Sequence, residues 1–171
     1  PVASQEKDHT ELTDDVLRFL GYYLAEGSAF LHGTTGVPTV ALSFNSKESD
    51  YIQESRELMS RLAGKPAREY RVSSKNECRV YVYSRELMEL CWKYCGRHSA
   101  GKSLHRDIME LPPHRQRLLV ETYLNGDGSR HRRKNGRVLV RAVTTSHALA
   151  FQLQEILGRQ GVYAGIQVRA A

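Results

Sequence analysis

Residues 19–27 read FLGYYLAEG, and residues 120–128 read VETYLNGDG. Each stretch ends an apolar run with helical periodicity, and each finishes on an acid followed by glycine. Small residues lie four positions apart in both stretches, which places them on one face of a helix and lets two helix backbones approach closely. The small residues are Gly21, Ala25, Thr122 and Gly126.

The acid in each stretch, Glu26 or Asp127, directly follows the second small residue. Packing of the two helices along these faces would therefore bring the two carboxylates together. A carboxylate at a helix C-terminus costs about 0.3–1 kcal/mol, so the same unfavourable choice made twice indicates a compensating cation. Two carboxylates and the main-chain carbonyls of Ala25 and Gly126 offer the oxygen ligands that Mg²⁺ prefers.

Each motif taken singly also has an ordinary interpretation. Residues 125–128 are typical of a hairpin turn, and residues 25–27 are typical of a helix end. Gly27 and Gly128 are predicted to cap the two helices in the left-handed conformation. It is the repetition of the motif that indicates a function.

Composition limits the possible functions. The 171 residues carry a net charge of +6 and a pI of about 9.4, which favours a polyanionic partner. No apolar run is long enough to span a membrane and no signal peptide is recognisable, so we expect no membrane partner. Three cysteines, an odd number, favour a reducing, intracellular setting, which we expect to be the cytoplasm.

The order of predicted elements repeats along the chain. Residues 13–95 are predicted to form a first half with the order αββαββα, and residues 96–110 form a basic connection. Residues 111–171 restart the order but lack the last strand and helix, so the second half is expected to be incomplete. Helix N-caps are predicted at Thr13, Asp50, Ser84 and Ser146. Strands are predicted at 28–31, 39–44, 68–72, 79–83, 137–144 and 162–168.

Basic residues form a second signal, because they cluster on the predicted strands and turns of both halves. Arg137 and Arg141 share one strand face by alternation, which suits contacts to phosphates and guanine edges. A solvated face without function is the alternative for any one of these side chains. The candidate DNA-binding residues are Arg68, Arg71, Lys75, Arg79, Arg130, Arg132, Arg133, Lys134, Arg137 and Arg141.

The paired motifs, their spacing and the repeated element order resemble the LAGLIDADG homing endonucleases, in the two-motif form found in inteins and introns. The resemblance covers about residues 14–168. It implies an α+β fold in which the motif helices form the interface between pseudo-symmetric halves. It also implies that the antiparallel sheets form a DNA-binding saddle.

The resemblance further implies a mechanism. Glu26 and Asp127 would hold Mg²⁺ or Mn²⁺ over two scissile phosphates, and the products would carry short 3′ overhangs. Residues 101–104 (GKSL) are similar to the segment where intein endonucleases carry a functional lysine, so Lys102 would lie near the metal-bound water or the phosphate. The implied partner is double-stranded DNA with a long, nearly asymmetric target, bound by a monomer.

Three residues depart from the family pattern. Glu26 replaces the commoner Asp, Thr122 stands where Gly or Ala is usual, and His105 stands where Pro often follows the lysine. The sequence has no Cys or Ser nucleophile at its N-terminus and no His-Asn pair at its C-terminus, so we expect any splicing domain to lie outside it. The sequence does not decide between an intein and an intron as host element.

Three other interpretations stay open. A catalytically inactive relative, such as an RNA maturase or a decayed intein domain, would bind nucleic acid without cleaving it. Residues 96–103 match the phosphate-loop pattern GxxxxGKS, although a helix is predicted before them where that loop needs a strand. A zinc site would use the residues Cys91, Cys95, His98 and His105, although buried free thiols are the simpler interpretation of the two cysteines.

Overall fold

The computed structural model describes residues 11–72, 75–132, 136 and 138–169. The first half contains α1 (Asp14–Glu26), β1 (Gly27–Leu31), β2 (Pro38–Asn45), α2 (Ser49–Ala63), β3 (Arg68–Val72), β4 (Glu77–Val82) and α3 (Arg85–Cys95). A short 3₁₀ turn (Ser99–Gly101) and α4 (Arg106–Met109) follow. The second half contains α5 (Pro113–Gly126), β5 (Ser129–Arg132), β6 (Val138–Arg141) and α6 (His147–Arg159). The predicted order αββαββα is therefore present in the first half, and αββα follows in the second.

Three of the four predicted helix caps are confirmed. The side-chain oxygens of Thr13, Ser84 and Ser146 accept hydrogen bonds from main-chain N–H groups in the first turns of α1, α3 and α6. Each of these bonds satisfies a donor that the helix itself leaves without a partner.

The fourth predicted cap, Asp50, is wrong. Helix α2 begins after Glu48, so Asp50 lies inside the first turn. The chain turns immediately after β2, where the main-chain N–H of Asn45 donates to the Glu48 carboxylate at 2.8 Å. This turn sets the start of α2 two residues earlier than the sequence pattern does, and Asp50 still favours the helix N-terminus through its charge.

The first half forms a four-stranded antiparallel sheet with the order β1-β2-β4-β3. Alternation gives this sheet one buried face, which packs against the helices, and one open face. The buried face of β2 and β4 consists of Val40, Leu42, Phe44, Cys78, Val80 and Val82. The side chains of Tyr81 and Tyr83 lie on the open face, as expected for a half-buried strand.

The second half forms a two-stranded antiparallel sheet of β5 and β6. The strand predicted at 162–168 is wrong, because this segment has no regular structure. In the first half the corresponding strand, β3, pairs only with β4. No counterpart of β4 is present among the described residues, so segment 162–168 has no partner for a ladder of hydrogen bonds.

The hydrophobic core is centred on α1, which packs against α5 along its length. Residues of α1 from Val16 to Leu24, apart from Arg18, are almost completely buried. Such burial on all sides is expected of a central helix rather than a surface helix. None of the described helices combines the length and apolarity needed to cross a membrane.

Candidate active site

The motif helices α1 and α5 approach each other closely at the small residues. A Cβ atom added to Gly21 would lie 1.9 Å from Thr122 Oγ1 and 2.3 Å from the carbonyl oxygen of Leu119. A Cβ atom added to Gly126 would lie 2.6 Å from the Cβ of Ala25. These distances are far below van der Waals contact, so the backbones approach this closely only because both positions are glycine.

Thr122 fits this interface although the family pattern favours a smaller residue there. Its hydroxyl is directed back onto its own helix, where it lies 3.1 Å from the carbonyl oxygens of both Leu118 and Leu119. The polar group is therefore satisfied within α5, although the same hydroxyl oxygen is the atom that lies against Gly21.

The glycines that follow the acids do not adopt the predicted left-handed conformation. Gly27 has φ −95° and ψ 149°, so it is extended and begins β1. Helix α5 ends on Asp127 in a right-handed conformation, and Gly128 is not among the glycines with positive φ. A Cβ atom at Gly128 would lie 2.0 Å from the carbonyl oxygen of Leu124, which shows that the glycine is required for space and not for φ.

The two carboxylates lie at the adjacent carboxyl ends of α1 and α5. A Cβ atom at Gly126 would be 3.1 Å from the Cγ of Glu26, which places the Glu26 side chain directly against the last residue of α5. Burial raises the pKa of Asp127 to about 6, against a lowering effect of Lys102 and of a hydrogen bond from Tyr123. Burial raises the pKa of Glu26 to about 7, and repulsion from Asp127 and Glu48 adds to it.

Neither carboxylate forms an ion pair with another residue of the described ranges. Within the same ranges no hydrogen bond is donated to the main-chain carbonyls of Ala25 and Gly126. Two half-buried carboxylates and two available carbonyls fit a hard divalent cation, which takes oxygen ligands and completes its coordination with water and phosphate.

Lys102 is buried beneath the end of α1. Its Nζ donates to the carbonyl oxygens of Tyr23 at 2.9 Å, Leu24 at 3.0 Å and Gly27 at 2.9 Å. Burial lowers the pKa of Lys102, and the nearby acids and thiols oppose this effect. Lys102 lies close enough to Asp127 and Glu26 to interact with both acids, but its ammonium group is directed at the end of α1.

The polar groups that surround the acids were not predicted from the sequence. The hydroxyl of Tyr123 lies near Asp127, four residues further on, and lowers the pKa of its carboxyl. The corresponding tyrosine of α1, Tyr22, instead donates to the carboxylate of Glu54 at 2.7 Å, and Arg18 contacts the same carboxylate at 3.1 Å. Helical spacing could have suggested the Tyr123 contact, whereas the Glu54 contact depends on how α2 packs on α1.

The candidate DNA-binding residues of the first half do not all lie on one face. Paired positions put Arg68 and Arg79 on the open face of the sheet, where Arg79 contacts Glu77 at 2.6 Å. Arg71 pairs with Cys78 and therefore lies on the helix side, where it contacts Glu69 at 2.8 Å. Lys75 is exposed in the turn between β3 and β4. Strand alternation separates Arg71 from the open face.

The candidates of the second half are divided in the same way. Ser129 pairs with Arg141, so Arg141 shares a face of the two-stranded sheet with Ser129. Arg130 and Arg132 occupy the opposite face, next to exposed valines. Three further candidates lie outside the described residues, and they are Arg133, Lys134 and Arg137.

The phosphate-loop and zinc interpretations do not agree with the structure. Helix α3 precedes residues 96–103 where a strand is required, and a 3₁₀ turn occupies their middle. Cys91 and Cys95 are free and buried, as predicted. Across the described ranges no three His, Cys, Asp or Glu residues are grouped so that they could hold a metal ion.

Comparison with known proteins identifies the fold. Residues 115–170 match the family described as LAGLIDADG-like domain. The crystal structure of I-DmoI in complex with DNA and Mn superposes on 93% of this chain and 84% of its own, with a TM-score of 0.67 and 14% identity. The chain has the LAGLIDADG homing-endonuclease fold. The α+β architecture and the resemblance that the paired motifs indicated are thereby confirmed.

A second LAGLIDADG structure has the same arrangement. The homing endonuclease I-WcaI, bound to its DNA recognition sequence, covers 91% of this chain and 74% of its own, with a TM-score of 0.51 and 11% identity. In both comparisons the identity is low, so the likeness is one of LAGLIDADG architecture.

Sequence comparison finds longer relatives of this chain. Iron–sulfur cluster assembly SufBD family proteins of Mycobacterium bovis and Mycobacterium tuberculosis are 38% identical to it over 160 residues. The match covers 94% of this chain but only 19% of each relative. The chain therefore spans about a fifth of the length of the curated relatives that it matches.

Proposed function

We propose that this protein is a site-specific, divalent-metal-dependent endonuclease that cuts both strands of double-stranded DNA and leaves short 3′ overhangs. One observation carries the proposal. The fold brings Glu26 and Asp127 together at the ends of two close-packed helices, half-buries both, and leaves neither in an ion pair within the described ranges. Such a pair is electrostatically unfavourable without a cation.

The residues present fit Mg²⁺ or Mn²⁺. Glu26 and Asp127 would hold the metal with the main-chain carbonyls of Ala25 and Gly126. When bound, the metal would supply activation of a water molecule and stabilisation of the charge that develops on the phosphate and the leaving oxygen. The close approach at Gly21 and Gly126 keeps the carboxylates adjacent. This packing lets one site serve two nearby phosphates, one on each strand.

The open faces of the two sheets are the proposed DNA-binding surface. Arg68, Arg79 and Lys75 contribute positive charge in the first half. In the second half Ser129 corresponds to Ser28, which lies on the open face of β1, so the face that carries Arg141 corresponds to the open face of the first sheet. Arg71, Arg130 and Arg132 lie on the other faces and are left out of the proposed surface.

Aromatic side chains on the first sheet also suit contact with nucleic acid. Tyr70 and Phe30 lie on the open face with 59% and 39% of their surface exposed. Large exposed aromatics on an otherwise polar face are unfavourable in water and are frequent at binding surfaces. The face therefore combines positive charge with stacking surface, a composition that suits DNA.

The sequence match covers only about a fifth of much longer relatives, and this supports a further proposal about the protein that carries this chain. We infer that the chain is a nuclease domain carried inside a longer protein, as the intein-type resemblance implies. The SufBD name is that of the full-length relatives. The three cysteines of this chain are buried and free, so they offer no cluster-binding group here.

Cleavage of a library of long DNA duplexes tests the proposal. The protein is incubated with the library and Mg²⁺ or Mn²⁺, and the DNA ends are sequenced. We expect discrete double-strand ends with short 3′ overhangs. Glu26→Gln and Asp127→Asn should abolish double-strand cleavage and leave specific binding largely intact, because each removes a hard anionic ligand.

The controls separate the alternatives. Specific binding by the unaltered protein without cleavage would identify a catalytically inactive relative. Full double-strand cleavage by both variants would show that the carboxylates are not metal ligands.

A further inference from the structure

The environment of Lys102 is unusual for a lysine proposed to act on a phosphate. Only 6% of its surface is exposed. An ammonium group has three N–H donors, and three carbonyl oxygens lie 2.9, 3.0 and 2.9 Å from Nζ. Every donor is therefore used, and none is left for a phosphate or a metal-bound water.

The three acceptors belong to one short segment at the end of α1. They are the carbonyls of Tyr23, Leu24 and Gly27, and they surround Glu26 in the sequence. The last carbonyls of a helix have no partner within it and carry partial negative charge. The Tyr23 carbonyl also accepts from the N–H of Gly27, and the buried ammonium adds a charged donor to all three carbonyls, which fixes the turn from α1 into β1.

The main chain around Lys102 is itself held from both halves. The hydroxyl of Ser146, at the start of α6, donates to the Lys102 carbonyl. The N–H of Ser103 donates to the carbonyl of Cys95 at 3.1 Å, and the side chain of Gln152 forms hydrogen bonds with both the N–H and the carbonyl of Leu104. Because the backbone is fixed on both sides, the lysine is presented to α1 by a rigid segment.

The end of α5 has no such support. In the part of the chain that the structure describes, no basic side chain donates to the last carbonyls of α5. The N–H of Asp127 bonds to the carbonyl of Tyr123 at 3.0 Å, which is the ordinary end of a helix. Lys102 interacts electrostatically with Asp127 as well as with Glu26, but the main-chain carbonyls that it binds all belong to the Glu26 end.

We propose that Lys102 is a positioning residue that clamps the end of α1 and thereby fixes Glu26, and that it contacts neither DNA nor metal-bound water. This inference rests on the proposed metal site for its effect on Glu26. The clamp acts on one end only, so the Glu26 side of the site is fixed by Lys102 and the Asp127 side is not.

Native-state hydrogen exchange tests the clamp with a control inside the same molecule. The Gly27 N–H bonds to the carbonyl of Tyr23, and the Asp127 N–H bonds to the carbonyl of Tyr123. In Lys102→Met the Gly27 amide should exchange about tenfold faster or more, because charge-assisted bonds to that turn are lost. The Asp127 amide should change less than about twofold if only local opening is affected. An equal acceleration of both amides, or none, would overturn the clamp.

Binding of Mn²⁺ without DNA, followed by electron paramagnetic resonance of the free ion, tests the effect on Glu26. Lys102→Met should weaken binding about tenfold in the Asp127→Asn background, where Glu26 is the remaining acid. It should change binding less than about twofold in the Glu26→Gln background. Equal effects in both backgrounds would show a general loss of structure and overturn the positioning role.

Two further outcomes separate the proposed metal site from the clamp. If neither Glu26→Gln nor Asp127→Asn weakens Mn²⁺ binding, the proposed metal site is wrong, and so is the positioning role, whatever hydrogen exchange shows. If Lys102→Met does not fold, the unaltered protein still tests the clamp by NMR. The Lys102 ammonium should give a slowly exchanging ¹⁵N signal with couplings to the carbonyl carbons of residues 23, 24 and 27, and absence of that signal would overturn it.

Discussion

At the end of α1, Lys102 occupies three main-chain carbonyls, and Tyr22 is directed away from Glu26 to Glu54. At the end of α5, the hydroxyl of Tyr123 lies near Asp127 itself and lowers its pKa. The two ends are related by an internal repeat, and their small residues meet in the same interface. The repeat therefore determines where the acids lie, whereas unrelated neighbours determine how each acid is supported.

The two sheets differ in the same manner. The first has four strands and a buried face, and the second has two strands with largely exposed residues on both faces. The two halves have the helix pair of α1 and α5 in common. We therefore expect substitutions to have the largest effects where the two halves are equivalent and smaller effects where the halves differ.

Gly21→Ala should have the largest effect, because it breaks the shared helix interface. The added methyl group would overlap both Thr122 Oγ1 and the carbonyl of Leu119. Separation of α1 and α5 should lower the free energy of unfolding by about 3 kcal/mol, at the upper end of overpacking effects. Urea unfolding measures the change.

A glycine outside the interface is the matched control for that substitution. Gly158 in α6 has open space around an added Cβ atom. Gly158→Ala should stabilise the protein by about 0.5–1 kcal/mol, because alanine loses less entropy in a helix. Equal destabilisation by both substitutions would show that the close approach at Gly21 is not the cause.

The pH dependence of stability should show the burial of the two carboxyl groups and, for Glu26, the repulsion from Asp127. The pKa of Glu26 rises from 4.5 in the unfolded chain to about 7 in the fold, so the folded state binds more protons between these values. Protonation of Glu26 therefore contributes to the stability of the fold. This contribution is complete below pH 4.5 and is lost as the pH rises through 7. A shift of this size is equivalent to about 3 kcal/mol, which solvent screening of the half-exposed carboxyl reduces to about 1–2 kcal/mol.

Glu26→Gln isolates this contribution in metal-free buffer with a chelator. The variant and the unaltered protein should be similar in stability near pH 4.5, and the variant should be more stable by about 1–2 kcal/mol at pH 8. Asp127→Asn should show the same trend with its midpoint near pH 6. A stability difference that does not change with pH would contradict the raised pKa values.

Arg141→Ala should weaken DNA binding by about 1 kcal/mol and reduce the salt slope by about one unit, if Arg141 contacts a phosphate. If it reads a guanine instead, preference should relax at one position of the target. Fluorescence anisotropy at several salt concentrations measures both effects.

The opposite face of the same hairpin supplies the control for this prediction. Arg130 is one residue from Ser129, which pairs with Arg141, and lies on the other side of the sheet. Arg130→Ala should leave the affinity and the salt slope nearly unchanged. If Arg130→Ala reduces the slope and Arg141→Ala does not, the second sheet binds DNA through its other face.

Tyr123→Phe should have the smallest effect, because it removes only the hydroxyl group that lowers the pKa of Asp127. The loss of this hydroxyl should raise the pKa of Asp127 by less than about one pH unit. Tyr22→Phe should leave the titration of Glu26 unchanged, since Tyr22 donates to Glu54. Carboxyl ¹³C NMR measures both titrations, and a shift at Glu26 in Tyr22→Phe would show that the two ends are supported alike.

Local chemistry in the sequence predicted much of the fold. The caps at Thr13, Ser84 and Ser146 are correct because each satisfies helix donors within three residues. The small-residue faces and the acids at the helix ends follow from the helical period alone. For the same reason the order of elements was predictable in the first half, where nearly every element has its partner nearby in the chain.

Tertiary structure decided the features that depend on distant partners. The segment 162–168 has strand-like sequence but no strand to pair with, and Gly27 is extended because β1 begins there. The faces of Arg71 and Arg130 follow from sheet register, which is set by contacts between strands. The resemblance implied that Lys102 lies near the metal-bound water or the phosphate. The structure directs its three donors at the carbonyls of Tyr23, Leu24 and Gly27, which are 75 or more residues away in the chain, because the connection after α3 crosses the end of α1.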